Sequence, residues 1–375
     1  MTALYLHIPF CRSKCHYCSF VSYPDQQPLH RRYVAALNRE LLTTPHLGAT
    51  RELRSVFFGG GTPTVLPSPD LITILTTCRQ VFRFADDCEI SIEANPGTVD
   101  GPGLLSLQRA GLNRLSIGVQ SFQAKELEFL GRCHSPLEAV AAVDLARKGG
   151  ITNISIDLIY GLPGQNATIW RDNLQKALDL GVEHLSLYQL TLEENTPLAR
   201  DYRNGKFSLP PEDEILEMDQ LNQDLCHAAG LHQYEISNFA KPDRQCRHNT
   251  TYWQNEEYWA VGAGAVSYLD GRREQRLSQP LAYCQAVEEG RSTLLESEEL
   301  DHEGQFRETV VMGLRMNRGI SLNRITTRFA LDPISYYGPS LERLINAGLI
   351  AVDDGHLHLT YQGRLLANVV LAELV

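Results

Sequence analysis

The sequence predicts an α/β fold built as an open partial barrel of parallel strands, followed by a smaller α+β region. Three observations carry that expectation. Short β-branched runs alternate with segments of helical apolar spacing through the first half of the chain. Polar residues gather at the carboxy-terminal ends of those runs, and the alternation stops after about residue 195. Strand and helix repeating at intervals of about 30 residues or more make βαβ units with right-handed crossovers, hence a parallel sheet. Six such units are too few for a complete eight-stranded barrel and suit an open one.

In chain order, the predicted strands are 4–9, 55–59, 89–95, 115–120, 153–161 and 184–190. Between them 29–42, 69–81, 101–110, 136–148 and 166–180 have helical spacing, several opened by Ser, Asp or Pro. His7, the Gly59-Gly60-Gly61-Thr62 run, Glu93, Asn95, Gln120, Asp157 and Gln189 fall at strand ends, which in a parallel barrel open onto one ligand-binding rim. After Pro210-Pro211 come a helix over 212–229 and an aromatic, polar stretch to Tyr268. The acid-rich residues Glu288, Glu289, Glu296, Glu298, Glu299, Asp301 and Glu303 read as a solvated linker or helix face. From about residue 305, helices, two short strands around Asp354-Gly355 and a final helix predict a winged-helix-like unit. The expected domains are therefore a barrel over 1–200, an intermediate region over 201–300 and a carboxy-terminal unit over 301–375.

At 375 residues with 43% hydrophobic and 21% charged side chains, the chain has ample material for buried cores. Its 34 basic against 45 acidic side chains give a net charge of −11, which disfavours a general nucleic-acid binder. Arg315, Arg318, Arg324, Arg328 and Arg343 are dispersed along the carboxy-terminal unit, so packing or protein contact is expected of it rather than DNA binding. The amino terminus lacks the basic segment and cleavage site of a signal peptide, and no apolar run approaches a membrane span. A cytoplasmic location is expected.

Nine cysteines are spread unevenly. Cys11, Cys15 and Cys18 fall together, whereas Cys78, Cys88, Cys133, Cys226, Cys246 and Cys284 are scattered, a pattern of one metal site plus buried thiols. Three thiolates on one loop can hold three irons of a cubane cluster and leave the fourth open to a ligand. The alternative is zinc on Cys11, Cys15, Cys18 and His16, although no second C-x-x-C pair is present.

Cys11-Arg12-Ser13-Lys14-Cys15-His16-Tyr17-Cys18 resembles the hallmark C-x-x-x-C-x-x-C loop of the radical S-adenosylmethionine (SAM) superfamily. The chain is more closely similar to the oxygen-independent coproporphyrinogen III oxidase-like family. That likeness runs through Leu4-Tyr5-Leu6-His7-Ile8-Pro9-Phe10-Cys11, Gly59-Gly60-Gly61-Thr62-Pro63-Thr64, Gly118-Val119-Gln120-Ser121-Phe122 and Asp157-Leu158-Ile159-Tyr160-Gly161-Leu162-Pro163. The resemblance implies a radical SAM partial (β/α)6 barrel with a 4Fe–4S cluster on Cys11, Cys15 and Cys18. It implies SAM chelated to the open iron, with Gly60, Gly61 and Thr62 approaching it closely. Glu93 and Asp157 would meet its amino group or ribose, Gln120 would make polar contacts, Arg132 would meet its carboxylate, and Tyr5 would line the rim. For Arg132 a solvated helix-end arginine stands as the alternative.

Two departures from the oxidases match the family's haem chaperone subgroup: Phe20 stands where they carry a fourth cysteine, and the barrel begins almost at Met1. Such proteins bind haem and deliver it to haem proteins of the respiratory chain. The subgroup's His-Asn-x-x-Tyr-Trp appears as His248-Asn249-Thr250-Thr251-Tyr252-Trp253. Here His248 is the expected axial ligand of haem iron, and Tyr252 and Trp253 supply apolar walls. Alternatives are a hydrogen-bonded core histidine with packed aromatics, or ligation by Cys246; Trp259, Gly262 and Gly264 would shape the same pocket or form a turn. The resemblance thus implies haem and its acceptor proteins as partners, with membrane contact only through a partner and a homodimer left open. The rival functions are radical decarboxylation of coproporphyrinogen III, methyl transfer to another tetrapyrrole, and a zinc-structured regulator.

Overall fold

The computed structural model describes residues 3–44 and 52–375. Six strands, β1 (Ala3–Ile8), β2 (Glu52–Gly60), β3 (Arg83–Ala94), β4 (Arg114–Gln120), β5 (Asn153–Tyr160) and β6 (His184–Gln189), lie side by side in chain order. Every neighbouring pair among them is parallel. The covering helices are α1 (His30–Leu42), α2 (Ser68–Val81), α3 (Gly101–Arg109), α4 (Ala124–Leu130), α5 (Pro136–Lys148) and α6 (Ala167–Asp179). The helix starts follow local chemistry. Asp100 accepts a hydrogen bond from the Gly103 amide, Asn166 from that of Ile169, and Ser135 with Glu138 forms a reciprocal capping box.

Alternation along the strands divides their side chains between two faces. Leu4, Leu6, Val56, Phe58, Ile90, Ile92, Leu115, Ile117, Ile154, Ile156, Leu185 and Leu187 belong to the main core beneath the helices. The residues between them, among them Tyr5, His7, Ser55, Glu89, Glu93, Arg114, Ser116, Ser155, Asp157 and His184, face the opposite side, a polar barrel lumen. Helical spacing did not reveal α4, a short helix with only Leu127 and Leu130 buried. Its one readable signal is Gly131, which ends it in the left-handed conformation (φ 71°).

Past α7 (Pro197–Arg203) and α8 (Glu212–Ala228), the sheet is extended on both sides. On one side β7 (His232–Gln233) pairs with β8 (Asn238–Ala240), which runs antiparallel to β6. After α9 (Arg247–Trp253), β9 (Tyr258–Val261) joins the other side parallel to β1, and β10 (Val266–Leu269) and β11 (Arg272–Arg276) continue as a meander. Beyond α10 (Pro280–Glu288) comes β12 (Leu294–Glu299), the outermost strand.

For Glu296, Glu298 and Glu299 this last strand corrects the expectation of a linker or helix face, whereas Glu288 and Glu303 do lie on helices. All six residues of β12 are exposed, and Glu298 and Glu299 lie opposite Arg273 and Arg272 of β11. Arg272 and Glu299 are 2.8 Å apart. Opposite charges across a strand pair favour the pairing, and a charged edge disfavours addition of further strands.

The carboxy-terminal unit has its own apolar cluster around Phe306, Val310, Leu341 and Leu357. In order it contains α11 (His302–Gly313), β13 (Ile320–Ser321), α12 (Leu322–Phe329), α13 (Pro333–Asn346, interrupted at Gly338 before Pro339), β14 (Ile350–Asp353) and β15 (His356–Leu359). Asp354 and Gly355 both have positive φ, as the tight β14–β15 turn requires. The short α14 (Tyr361–Leu365) and α15 (Ala367–Ala372) end the chain. Among the described residues no helix is long and apolar enough to cross a membrane.

Candidate functional site

The loop after β1 carries Cys11, Cys15 and Cys18 to the rim at the carboxy-terminal ends of the strands, and all three thiols line one cavity with Gly60, Gly61, Thr62, Glu93, Asn95, Gln120, Arg132 and Asp157. All nine cysteines are free thiols, and of the six scattered ones Cys133 is exposed, which corrects the expectation that all six are buried. The loop is fastened from several directions. Lys14 Nζ donates to the carbonyls of Phe20 (3.1 Å) and Ser22 (3.4 Å), and the Thr62 amide donates to that of Phe10 (2.7 Å). His16 turns away from the thiols: its amide bonds the Leu130 carbonyl and its Nδ1 the Phe129 carbonyl at 2.9 Å. His16 is also absent from the lining of the thiol cavity, which takes it out of the zinc ligands weighed against the cluster reading.

Two glycines let β2 approach the loop. Gly60 has φ 114°, and a Cβ on Gly61 would stand 2.5 Å from the Phe10 carbonyl oxygen and 3.0 Å from Cys11 Sγ. A chain of polar contacts then links two of the thiols. Thr62 Oγ1 donates to Cys11 Sγ (3.6 Å) and accepts from Asn95 Nδ2 (2.8 Å). Asn95 Oδ1 accepts from Arg132 Nη2 (2.6 Å), and Arg132 Nη1 donates to Cys15 Sγ (3.3 Å). Arg132 is thus bound inside the site, not solvated at a helix end. Its Nε is buried without a partner. Asn95 was seen in the sequence only as a polar strand end, and nothing there identified it as the link between Thr62 and Arg132.

Electrostatics favour a cation between the carboxylates. Burial, and then the neighbouring Asp157, push Glu93 up to about 8, although the Gly60 amide donates to it at 3.2 Å. Burial also raises Asp157, opposed by hydrogen bonds from Ser186 and Ser116 and by Arg114. Burial is likewise the largest cause raising Cys11 and Cys18. The donor set fits a cluster with an open position: three soft sulfurs on one loop, glycine backbone beside them, and two acids facing the space beyond. Among the described residues no group of three His, Cys, Asp or Glu side chains closes on a single metal ion. Gln120 is held at φ 68° at a register shift between β4 and β5, which aims it into the cavity at a backbone cost. Tyr5 does not line this cavity. It lies deeper in the lumen, stacked near Phe57, and its hydroxyl donates to His7 Nδ1 at 3.1 Å because His7 Nε2–H is taken by the Val21 carbonyl.

The His248 segment forms α9, whose first turn is tied to Glu89: the Arg247 and His248 amides and Cys246 Sγ all donate to that carboxylate. His248 is fully buried and stacks on Phe57. Its Nδ1 bonds Ser55 Oγ (2.9 Å) and its Nε2 bonds Tyr252 hydroxyl (2.8 Å). Helical i, i+4 spacing does place His248 and Tyr252 together, but both imidazole nitrogens are in use. Cys246 is also fully buried. Trp253 lies apart from them, beneath the Arg315 guanidinium at 4.6 Å. Trp259 stacks under Arg276, and Gly262 and Gly264 form the turn between β9 and β10. These three do not share the surroundings of His248.

Comparison with known proteins agrees with this architecture. A family model described as the radical SAM superfamily matches residues 5–188, and one described as the HemN C-terminal domain matches residues 300–366. The chain is 36% identical to heme chaperone HemW of Bacillus subtilis (strain 168), over 99% of this chain and 98% of that protein. It is 39% identical to heme chaperone HemW of Synechocystis sp., over 85% and 79% of the two chains. Among solved structures, coproporphyrinogen III oxidase (HemN) from Escherichia coli, a radical SAM enzyme, superimposes with a TM-score of 0.86 at 26% identity, covering 100% of this chain and 90% of that one.

Proposed function

Because the chain belongs to the radical SAM superfamily and, within it, to the heme chaperone HemW family, we propose that it carries haem and passes it to acceptor proteins, with a 4Fe–4S cluster and SAM bound at the barrel rim. The observation that carries this reading is the similarity to proteins named heme chaperones over nearly the full length of both chains. Respiratory-chain haem proteins are the acceptor class, and the cytoplasm is the proposed compartment.

Cys11, Cys15 and Cys18 hold the cluster, which when bound supplies an electron at low potential. Thr62 and Arg132 hold two of the sulfurs in place through Asn95. Glu93 and Asp157 receive the cationic amino group or the ribose hydroxyls of SAM, and Gln120 adds a polar contact. Arg132, which lines the cavity and whose Nε has no hydrogen-bond partner among the described residues, would meet the SAM carboxylate.

Haem binding through His248, Tyr252 and Trp253 requires α9 to rearrange, since His248 must leave Ser55 and Tyr252 before a ring nitrogen can meet iron. The test is anaerobic reconstitution followed by haem titration and transfer to an apo-haem protein. Stable haem binding with transfer supports the reading, and no haem uptake by cluster-loaded protein refutes it.

Coproporphyrinogen III oxidation is the second reading, favoured by the superposition on HemN. Against it stands Phe20, which is 69% exposed beside the cysteine cavity where the oxidases carry a further cysteine.

A further inference from the structure

The three arginines that looked dispersed in the sequence, Arg318, Arg324 and Arg328, line one cleft of about 380 Å³ in the carboxy-terminal unit. Gln254, just past the end of α9, forms one edge, and Met316 and His356 complete the wall. The cations are not equivalent. Arg324 is paired with Glu256 and Arg328 donates to the Asn255 carbonyl, whereas Arg318 is exposed and makes no hydrogen bond or ion pair among the described residues. His356 sits on β15 opposite Ser321, and its Nδ1 meets the Asp354 carbonyl at 3.0 Å. A carbonyl can only accept, so Nδ1 carries the proton and Nε2 keeps its lone pair. That is the tautomer in which an imidazole binds metal, with its other nitrogen held by the backbone.

We propose that this cleft is a haem-receiving site, in which His356 Nε2 meets the iron and Arg318 the propionate carboxylates. The inference rests on the haem-carrying reading above and supplies what α9 lacks, an imidazole nitrogen that is free without rearrangement. At that volume the cleft covers one face of the macrocycle rather than enclosing it, which suits cargo that must leave again. The cleft also adjoins α9, since the backbone of Gly313 in its wall packs near the Trp253 carbonyl. A larger cavity of about 530 Å³ between β6 and α14 has no histidine in its lining, and its one arginine, Arg364, is balanced by Asp219.

Three probes separate the two contacts: hemin, metal-free protoporphyrin IX and hemin dimethyl ester, each titrated into the full-length protein. His356→Ala should shift the Soret band and weaken hemin about tenfold or more, with protoporphyrin IX binding unchanged. Arg318→Ala should weaken hemin and protoporphyrin IX about tenfold, the scale of one charged hydrogen bond, and leave the dimethyl ester and the Soret position alone. Both side chains are at the surface, and far-ultraviolet dichroism with His356→Gln as a second variant verifies folding. If the unmodified protein binds hemin and His356→Ala does so with the same spectrum and affinity, this site is wrong while the haem-carrying reading stands. If the unmodified protein binds no hemin, both fall.

Discussion

Arg132 donates from Nη1 to the Sγ of Cys15 across 3.3 Å, while its Nη2 bonds Asn95 and the Gly118 carbonyl. A guanidinium held this way fixes a thiol that lies far from it in sequence, and it does so with a rigid fork that lysine cannot reproduce. Replacing Arg132 with Met should leave Asn95 and the Gly118 carbonyl short of a partner and cost about 1–3 kcal/mol in stability. Lys should restore little of it. Chemical denaturation of both variants, with cluster content measured beside it, checks the expectation.

On the proposed reading the cluster depends on the loop alone. Cys11→Ala, Cys15→Ala and Cys18→Ala combined should abolish iron and sulfide uptake after anaerobic reconstitution. Cys133→Ala should not, although Cys133 Sγ lies 3.0 Å from Ser13 Oγ at the edge of the same loop. Wild-type iron content in the triple variant would rule out these ligands.

On the proposed reading Glu93 gives SAM binding a pH dependence. The folded chain holds this carboxyl protonated up to about pH 8, against an ordinary value of 4.5, so a cationic ligand must expel a proton to use the carboxylate. SAM affinity should therefore rise from pH 6.5 to pH 8.5 and then level off. Glu93→Gln should flatten the profile and weaken binding about tenfold at high pH. Calorimetry in buffers of different ionisation heat reads the released proton directly. In the absence of ligand the sign is the reverse: this group lowers stability as pH climbs from about 4.5 to 8, because the unfolded chain ionises first.

His248 acts on stability in the opposite pH direction. Burial, with Arg114 adding to it, pushes the imidazole down to about 3 from 6.5. The unfolded chain takes up a proton below 6.5 that the folded chain refuses, so stability present above that value is lost as pH falls toward 3. His248→Gln should reduce that acid sensitivity in thermal melts between pH 7 and pH 4. Ser55→Ala with Tyr252→Phe should release both ring nitrogens and, if α9 ligates haem, strengthen the Soret change. No change in that double variant would count against ligation by His248.

Much of this architecture was legible before the structure. The six parallel strands announced themselves because Val56, Ile90, Ile117 and Ile156 lie in apolar runs that end in glycine or a polar rim residue, and the cysteine loop because three thiols fall within eight residues. What stayed hidden depended on long-range contact. Glu298 and Glu299 lie on β12 opposite Arg273 and Arg272, a pairing no local pattern announces, and α4 has too few buried positions to show a period. Asn95 joins Thr62 to Arg132 across residues separated by dozens of positions, which no local spacing encodes. His248 and Tyr252 were correctly paired by helical spacing, yet that spacing could not reveal Ser55 on the other nitrogen. The gathering of Arg318, Arg324 and Arg328 is likewise a product of the fold of the carboxy-terminal unit.

The haem-carrying reading and the oxidase reading part most sharply over one reaction. Cluster-loaded protein is incubated anaerobically with SAM, a reductant and coproporphyrinogen III, and the porphyrins are resolved by chromatography; a parallel sample loaded with hemin is mixed with an apo-haem protein. The account predicts no turnover of coproporphyrinogen III and appearance of the acceptor's haem spectrum. Sustained multiple-turnover formation of protoporphyrinogen IX, with no haem passed to the acceptor, would contradict it.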